Sequence, residues 1–221
     1  MKVTAINLAR VLFLVPGGYE ITTSGFWIPD VNKGLRERYE FLKVPQTLDE
    51  WAQDGGKFLN GRHGNIIISQ LLLLSKGIGV DTKTNTDDCE TVLRDVLTWA
   101  ANNFGINLRL NPARMVFVSQ ITFVSDISLN WLHPSLKMLA DRAGPFANPV
   151  VPGSIYETAG VTIKVDDSNL KTSPGAFTIE RRIEVPFSEN TYFSQAPMPT
   201  SEHQKALQDF ETAVLKGHSP A

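Results

Sequence analysis

IIISQLLLLSKGIGVDTKTNTDDCETVLRDVLTWAANNFG, residues 66–105, carries two structural periods in succession. Residues 66–74 are apolar on both strand faces, the pattern of a central strand covered on each side. Ser75-Lys76-Gly77 offers a turn, and residues 78–82 form its hairpin partner. The period then changes. Asp87-Asp88-Cys89-Glu90 has the form of a capping box, and Cys89, Val92, Leu93, Val96, Ala100 and Phe104 recur at helical spacing. Gly105 stands just past them, where helices commonly stop, and Asp87, Asp88 and Glu90 sit where the helix dipole favours negative charge. Hairpins mixed with helical crossovers of this kind point to an α+β fold, or to α/β with a mixed sheet, rather than to a doubly wound parallel sheet.

The same reading extends outward in both directions. Val11-Leu12-Phe13-Leu14-Val15 reads as a buried strand. Thr47-Leu48-Asp49-Glu50 is a second capping-box pattern, opening a short helix with Trp51, which Gly55-Gly56 weakens. Asn60-Gly61 marks a turn. Downstream, Met115 to Val124 is apolar on both faces and predicts another central strand. Residues 129–143 predict a helix, with Pro134 in its first turn and Leu136, Leu139 and Ala140 on its apolar stripe. Val161, Ile163 and Val165 alternate with Thr162 and Lys164, and residues 177–185 alternate again. Ser201-Glu202-His203-Gln204 caps a last helix bearing Leu207, Phe210 and Val214, with Gly217 at its end. After residue 60 the expected order is β-β-α-β-α-β-β-α: a mixed sheet with hairpins and three to four packed helices. We expect one domain over residues 1–221, with 1–46 an N-terminal strand plus an extended wrapping segment.

Composition bounds the function. The chain has 221 residues, 42% hydrophobic and 20% charged, with a net charge of −2, which describes a globular domain with a core of its own. No Lys/Arg cluster departs from that balance, so nucleic acid is not an expected partner. The single cysteine, Cys89, excludes an internal disulfide framework. The five apolar residues after Arg10 are too few for a signal peptide, and 66–74 is too short to span a bilayer. The expectation is a cytoplasmic protein without membrane contact.

Chemistry-bearing motifs are few. His63, His133, His203 and His218 show no ligand spacing among themselves or with Cys89, so no metal is expected. Gly77-Ile78-Gly79 lacks the third glycine of a dinucleotide loop, and neither a P-loop nor a nucleophile elbow occurs. No cofactor is therefore expected. Cys89 lies on an apolar helix stripe, where a thiol is inert. Asp166-Asp167 followed by Glu180-Arg181-Arg182 has the loose outline of a metal-dependent nuclease, without its lysine.

Arg181 stands out. In 177–185 the apolar face is Phe177, Ile179, Ile183 and Val185, and Arg181 shares it. An inward arginine needs a partner, so Arg181 is expected either in an internal ion pair with Glu157, Asp126 or Asp166, or at an anion site. Residues 16–46 and 186–200 resist assignment to regular structure. In the second, Phe187, Tyr192, Phe193 and Met198 form the candidate interface. These features favour a non-catalytic assembly or protein-interaction subunit, self-associating or part of a larger complex. The alternatives are a small-molecule enzyme such as a hydrolase with a dispersed site and, more weakly, a nucleic-acid-processing factor.

Overall fold

A computed structural model describes residues 1–15, 28–47, 50–51, 55–147, 149–153, 155–166, 168 and 174–218. Among the described residues eight strands form one antiparallel sheet, accompanied by four helices. The strands are β1 (Lys2–Leu14), β2 (Gly56–His63), β3 (Ile66–Leu74), β4 (Gly77–Thr82), β5 (Met115–Val124), β6 (Gly160–Ile163), β7 (Phe177–Arg181) and β8 (Thr191–Ala196). Their spatial order is β2-β3-β4-β1-β5-β8-β7-β6. The helices are α1 (Ile28–Tyr39), α2 (Thr86–Phe104), α3 (Pro134–Ala147) and α4 (Thr200–His218). The α+β class is the expected one, and the sheet is antiparallel rather than mixed.

The chain divides into two compact units. One comprises Ile6–Gln120 and Pro197–Ser201. Its core is built from Ala9, Val11 and Phe13 of β1, alternate residues whose side chains enter one face, with Ile68, Leu71 and Leu73 of β3. The register shifts between Ile68 and Gln70, and that bulge changes which alternate residues of β3 are buried. The unbroken apolar run 66–74 therefore serves one buried face in two phases. Helix α1 buries Val31, Leu35 and Tyr39 at four-residue intervals. A side chain at Gly34 would begin only 2.5 Å from the Trp99 ring, so the glycine lets α1 and α2 approach closely.

The predicted α2 helix is present with its cap two residues earlier. Asn85, not Asp87, is the cap: its Oδ1 accepts from the Asp88 amide at 2.7 Å. Gly105 closes the helix at φ 67°, as its position implied. The first residues of α2 and α4 satisfy each other. The Thr86 amide donates to Thr200 Oγ1 (3.2 Å) and the Thr200 amide donates to Thr86 Oγ1 (3.0 Å). Across β1 and β4, Arg10 grips the buried Asp81 with two 2.6 Å bonds.

The other unit comprises Met1–Ala5, Ile121–Ala196 and Glu202–Ala221. Ile121, Phe123, Leu129, Ile179, Tyr192 and Leu207 form its core. Glu211 of α4 accepts from Ser125 Oγ (2.5 Å), from the Asp126 amide (3.0 Å) and from the Met1 ammonium group. Pro134 opens α3, preceded by a short 3-10 turn, Leu129–Trp131, so the helix expected at 129–143 is split and displaced toward the C-terminus.

Several other expectations are corrected. Asn60-Gly61 lies inside β2, and the hairpin turn is Gly64-Asn65, with Gly64 at φ 58°. Residues 28–39, expected to be irregular, are helix α1. Strand β7 ends at Arg181 rather than Val185, and Ile183 is exposed rather than on an apolar face. Part of 186–200 is a strand, β8, so the order gains one element before α4. The described residues omit 16–27, so the aromatic residues expected there, Tyr19, Phe26 and Trp27, lie outside them, as does Asp167.

Cys89 is fully buried, bonded through Sγ to Ala9 O (3.3 Å) and close to Thr82 Oγ1 (3.4 Å). Burial pushes its thiol up to about 11. In a thiol-titration assay Cys89 is expected to stay unlabelled in the native protein and to react fully after denaturation. Rapid labelling without unfolding would contradict its buried position.

Candidate functional site

The end of β7 is the best-defined polar site. Arg181 enters the core because β7 alternates, so it shares the face of Phe177 and Ile179. Its side chain is 3% exposed, while that of its ion-pair partner Glu157 is 30% exposed. The guanidinium donates through Nε to Thr158 O (3.0 Å) and through Nη1 to Phe187 O (2.7 Å). Nη2 donates to Ser128 Oγ (3.1 Å) and to Glu157 Oε2 (3.0 Å). The Phe187 ring lies over the guanidinium at 4.4 Å, and the Tyr192 ring stands at 5.6 Å.

This geometry decides what Arg181 can do. An incoming carboxylate or phosphate needs two adjacent free donors for a bidentate grip. Here the fork is divided among four acceptors that all belong to the chain. The arrangement is a clasp. It ties the 128 turn, the 157–158 segment and the 187 turn to the end of one strand, and it leaves an anion no pair of donors.

Three of the five singled-out residues meet at this clasp: Arg181, Phe187 and Tyr192. Tyr192 is 1% exposed, packs on Phe123 and donates its hydroxyl proton to Ile127 O at 3.0 Å. Tyr192 is therefore part of the core of its own unit, because β8 buries Tyr192, Ser194 and Ala196 alternately. Phe193 points to the opposite sheet face and is half-buried. Met198, also half-buried, belongs to the other unit. Phe187 is partly exposed but caps the guanidinium.

A second polar cluster surrounds Asp95 of α2. Arg38 grips both carboxylate oxygens at 2.6 and 2.8 Å, and Tyr39 Oη donates to Oδ2 at 2.5 Å. His63 Nδ1 stands 3.6 Å from the same oxygen. Burial works to raise the Asp95 carboxyl, but the bonds from Arg38 and Tyr39 outweigh it and hold the group below its usual range. Burial, helped by Asp95, drives the Tyr39 phenol upward. With both oxygens occupied, Asp95 cross-links α1 to α2 and is poorly placed to orient a catalytic base.

Ser194 and His203 form a third pair, with Oγ and Nε2 2.8 Å apart and both residues fully buried. Ser194 commits its proton to Thr178 O at 2.6 Å, so Nε2 of His203 must be the donor to Ser194 Oγ. That polarity is the reverse of a serine nucleophile activated by a base. Phe177 packs edge-on against the imidazole.

His133 accepts from the Ser135 amide at the start of α3, and His218 is the last residue of α4. Among the described residues no group of His, Cys, Asp or Glu is placed to hold a metal ion. Asp166 is exposed and accepts from the Ser168 amide. A broad depression beside α1 mixes Lys33 and Arg36 with Glu37 and Glu40, charges that do not select one ligand sign.

The sequence reading did not single out the outer surface of α3. No residue of α3 is buried. The small residues Ala140, Ala143, Gly144 and Ala147 are half-buried, while Met138, Leu139 and Phe146 are exposed. Phe146 is 85% exposed, and the chain beyond α3 continues the exposure, with Val150 83% and Ile155 82% exposed. The apolar stripe of Leu136 and Leu139 was legible, but which side of it meets solvent was not.

Comparison of the chain with protein-family models and with curated proteins found no match. No helix among the described residues is long and apolar enough to cross a membrane.

Two predictions test these sites. Arg181→Ala leaves Thr158 O, Phe187 O and Ser128 without their donor and Glu157 without its partner, and is expected to cost roughly 3–5 kcal/mol in a denaturant melt. Arg181→Lys should recover little of it, since one ammonium cannot span the four acceptors. An unchanged midpoint for Arg181→Ala would show that the clasp does not hold the unit.

His203 is held down at about 4 by burial, below its ordinary 6.5. The unfolded chain therefore takes up a proton between pH 6.5 and 4 that the folded chain refuses. Stability from this group is complete above pH 6.5 and declines as pH falls through that window, by at most about 3 kcal/mol. Comparing His203→Gln with the parent between pH 6.5 and 4.5 should show a flatter slope for the variant. Equal slopes would contradict the buried neutral imidazole.

Proposed function

We propose that the protein is a cytoplasmic, non-catalytic assembly subunit that associates with a second copy of itself through the apolar surface of residues 134–165. The observation that carries this reading is the inverted helix α3, which turns its small side chains inward and its large ones outward. Leu139, Phe146, Val150, Ile155, Tyr156 and Ile163 lie exposed within one stretch of about thirty residues. Scattered exposed apolar residues are ordinary, but this many exposed large apolar side chains in one stretch of chain supports a docking role. Together these side chains expose several hundred Å², on the scale of the ~800 Å² per partner of a standard interface.

The other two readings have weaker support. An enzyme needs a polar group with capacity to spare, and the Arg181, Asp95 and His203 clusters spend theirs on this chain. A nucleic-acid factor needs a basic footprint, and the net charge is −2.

Leu139→Ser with Phe146→Ser tests the proposal. Sedimentation over a concentration series should show the parent associating and the double variant dissociating at higher concentration. The thermal midpoint at low concentration should stay nearly constant, because both side chains are exposed in the single chain. A parent that remains a monomer at every concentration would overturn the reading.

A further inference from the structure

The sheet has two edges, and the chain treats them differently. At β2 the backbone is covered: Lys43 and Leu59 exchange hydrogen bonds at 2.9 and 3.3 Å, and the Leu42 amide donates to Asn60 O at 3.2 Å. At the other edge, β6 pairs with β7 and, among the described residues, with no other strand.

The direction of the open groups follows from the register. The Arg181 amide donates to Ala159 O at 2.8 Å, and the pairing runs Gly160↔Glu180, Val161↔Ile179, Thr162↔Thr178, Ile163↔Phe177. In an antiparallel pair every second residue turns its amide and carbonyl toward the partner. Residues 159, 161 and 163 therefore face β7, while Gly160, Thr162 and the following Lys164 turn theirs outward. Side chains divide by the same parity. Val161 and Ile163 share the core face, with Ile163 exposed beyond its cover; Thr162 and Lys164 share the opposite face with Glu180.

We propose that β6 pairs antiparallel with β6 of a second copy about a two-fold axis through Thr162. This rests on the self-association proposed above and names its geometry. An isologous contact requires that the edge complement itself, and this one does in a single register. Thr162 faces its own symmetry mate, a favourable cross-strand pair. Ile163 of each copy lies opposite Val161 of the other, which covers the exposed isoleucine. Lys164 of each copy lies opposite Gly160 of the other.

The glycine then matters. Beyond Gly160, on the same face, stands Glu180, also exposed. Two strand spacings of about 4.8 Å separate the Lys164 and Glu180 backbones across the contact. With no side chain at Gly160 between them, the two side chains can meet above it. The axis makes this ion pair twice. A register centred on Val161 instead sets Lys164 against Thr158 and forms neither pair. An unrelated extended peptide would have no reason to match this charge pattern, which is why a second copy is the occupant.

The test uses the full chain and sedimentation equilibrium. Lys164→Glu alone faces Glu180 with a like charge, and Glu180→Lys alone does the same to Lys164. Each single variant should associate at least about tenfold more weakly than the parent. An equimolar mixture of the two single variants should regain association, because each heterologous pair is again opposite in sign. Thr162→Pro, which removes an outward amide that β7 does not use, should abolish pairing with little change in the melting of the monomer. If the parent associates and neither charge variant weakens it, this geometry is wrong and the assembly reading stands. Weakened single variants without rescue in the mixture also overturn the register. A parent that never associates overturns both.

Discussion

A buried guanidinium cannot be left with unmade hydrogen bonds, and the unit around β7 is arranged to satisfy that of Arg181. Its position is fixed by strand alternation, which turns residue 181 into the core behind Phe177 and Ile179. Once there, it must find acceptors within reach. The carbonyls of Thr158 and Phe187, the hydroxyl of Ser128 and the carboxylate of Glu157 are brought to it from three separate segments. The cost of burying the charge is offset only if all of them arrive together, so the clasp couples those segments into one cooperative unit.

The clasp also explains why β7 stops where it does. After Arg181 the chain turns through Glu184 at φ 66° and reaches a short 3-10 turn, Phe187–Glu189. There the Phe187 carbonyl accepts from the guanidinium and its ring covers it. Asn190, at φ 45°, redirects the chain into β8, and Tyr192 returns to the same cluster. Aromatic residues that look like a docking strip when read as a list thus close over an internal charge. The apolar surface that the chain leaves exposed lies elsewhere, on α3 and the chain beyond it, which bury little of what they carry.

The polar clusters share a logic. Asp95 has both oxygens taken by Arg38 and Tyr39, Asp81 is held by Arg10, and His203 donates to a serine whose own proton is already placed. Each is a satisfied network that makes a packing arrangement specific.

What the sequence alone determined was whatever depends on near neighbours along the chain. The α2 stripe from Cys89 to Phe104 and its stop at Gly105 follow from a 3.6-residue period and a left-handed glycine. The class followed from the hairpin beside that helix, and the inward direction of Arg181 from two-residue alternation. Tertiary structure decided the rest, because it depends on residues far apart in sequence. The bulge after Ile68 reverses the buried phase of β3, which an unbroken apolar run cannot reveal. The cap at Asn85 was masked by an equally plausible Asp87 two residues on. Glu157 is the carboxylate that pairs with Arg181, because the register of β6 and β7 carries the chain before Gly160 past the end of β7. Tyr192 is core because β8 lies between β5 and β7, and Phe146 is exposed because the half-buried side of α3 is the one that carries its alanines. Periodicity states that a helix or strand has an apolar side; only the packing of distant segments settles whether anything covers it.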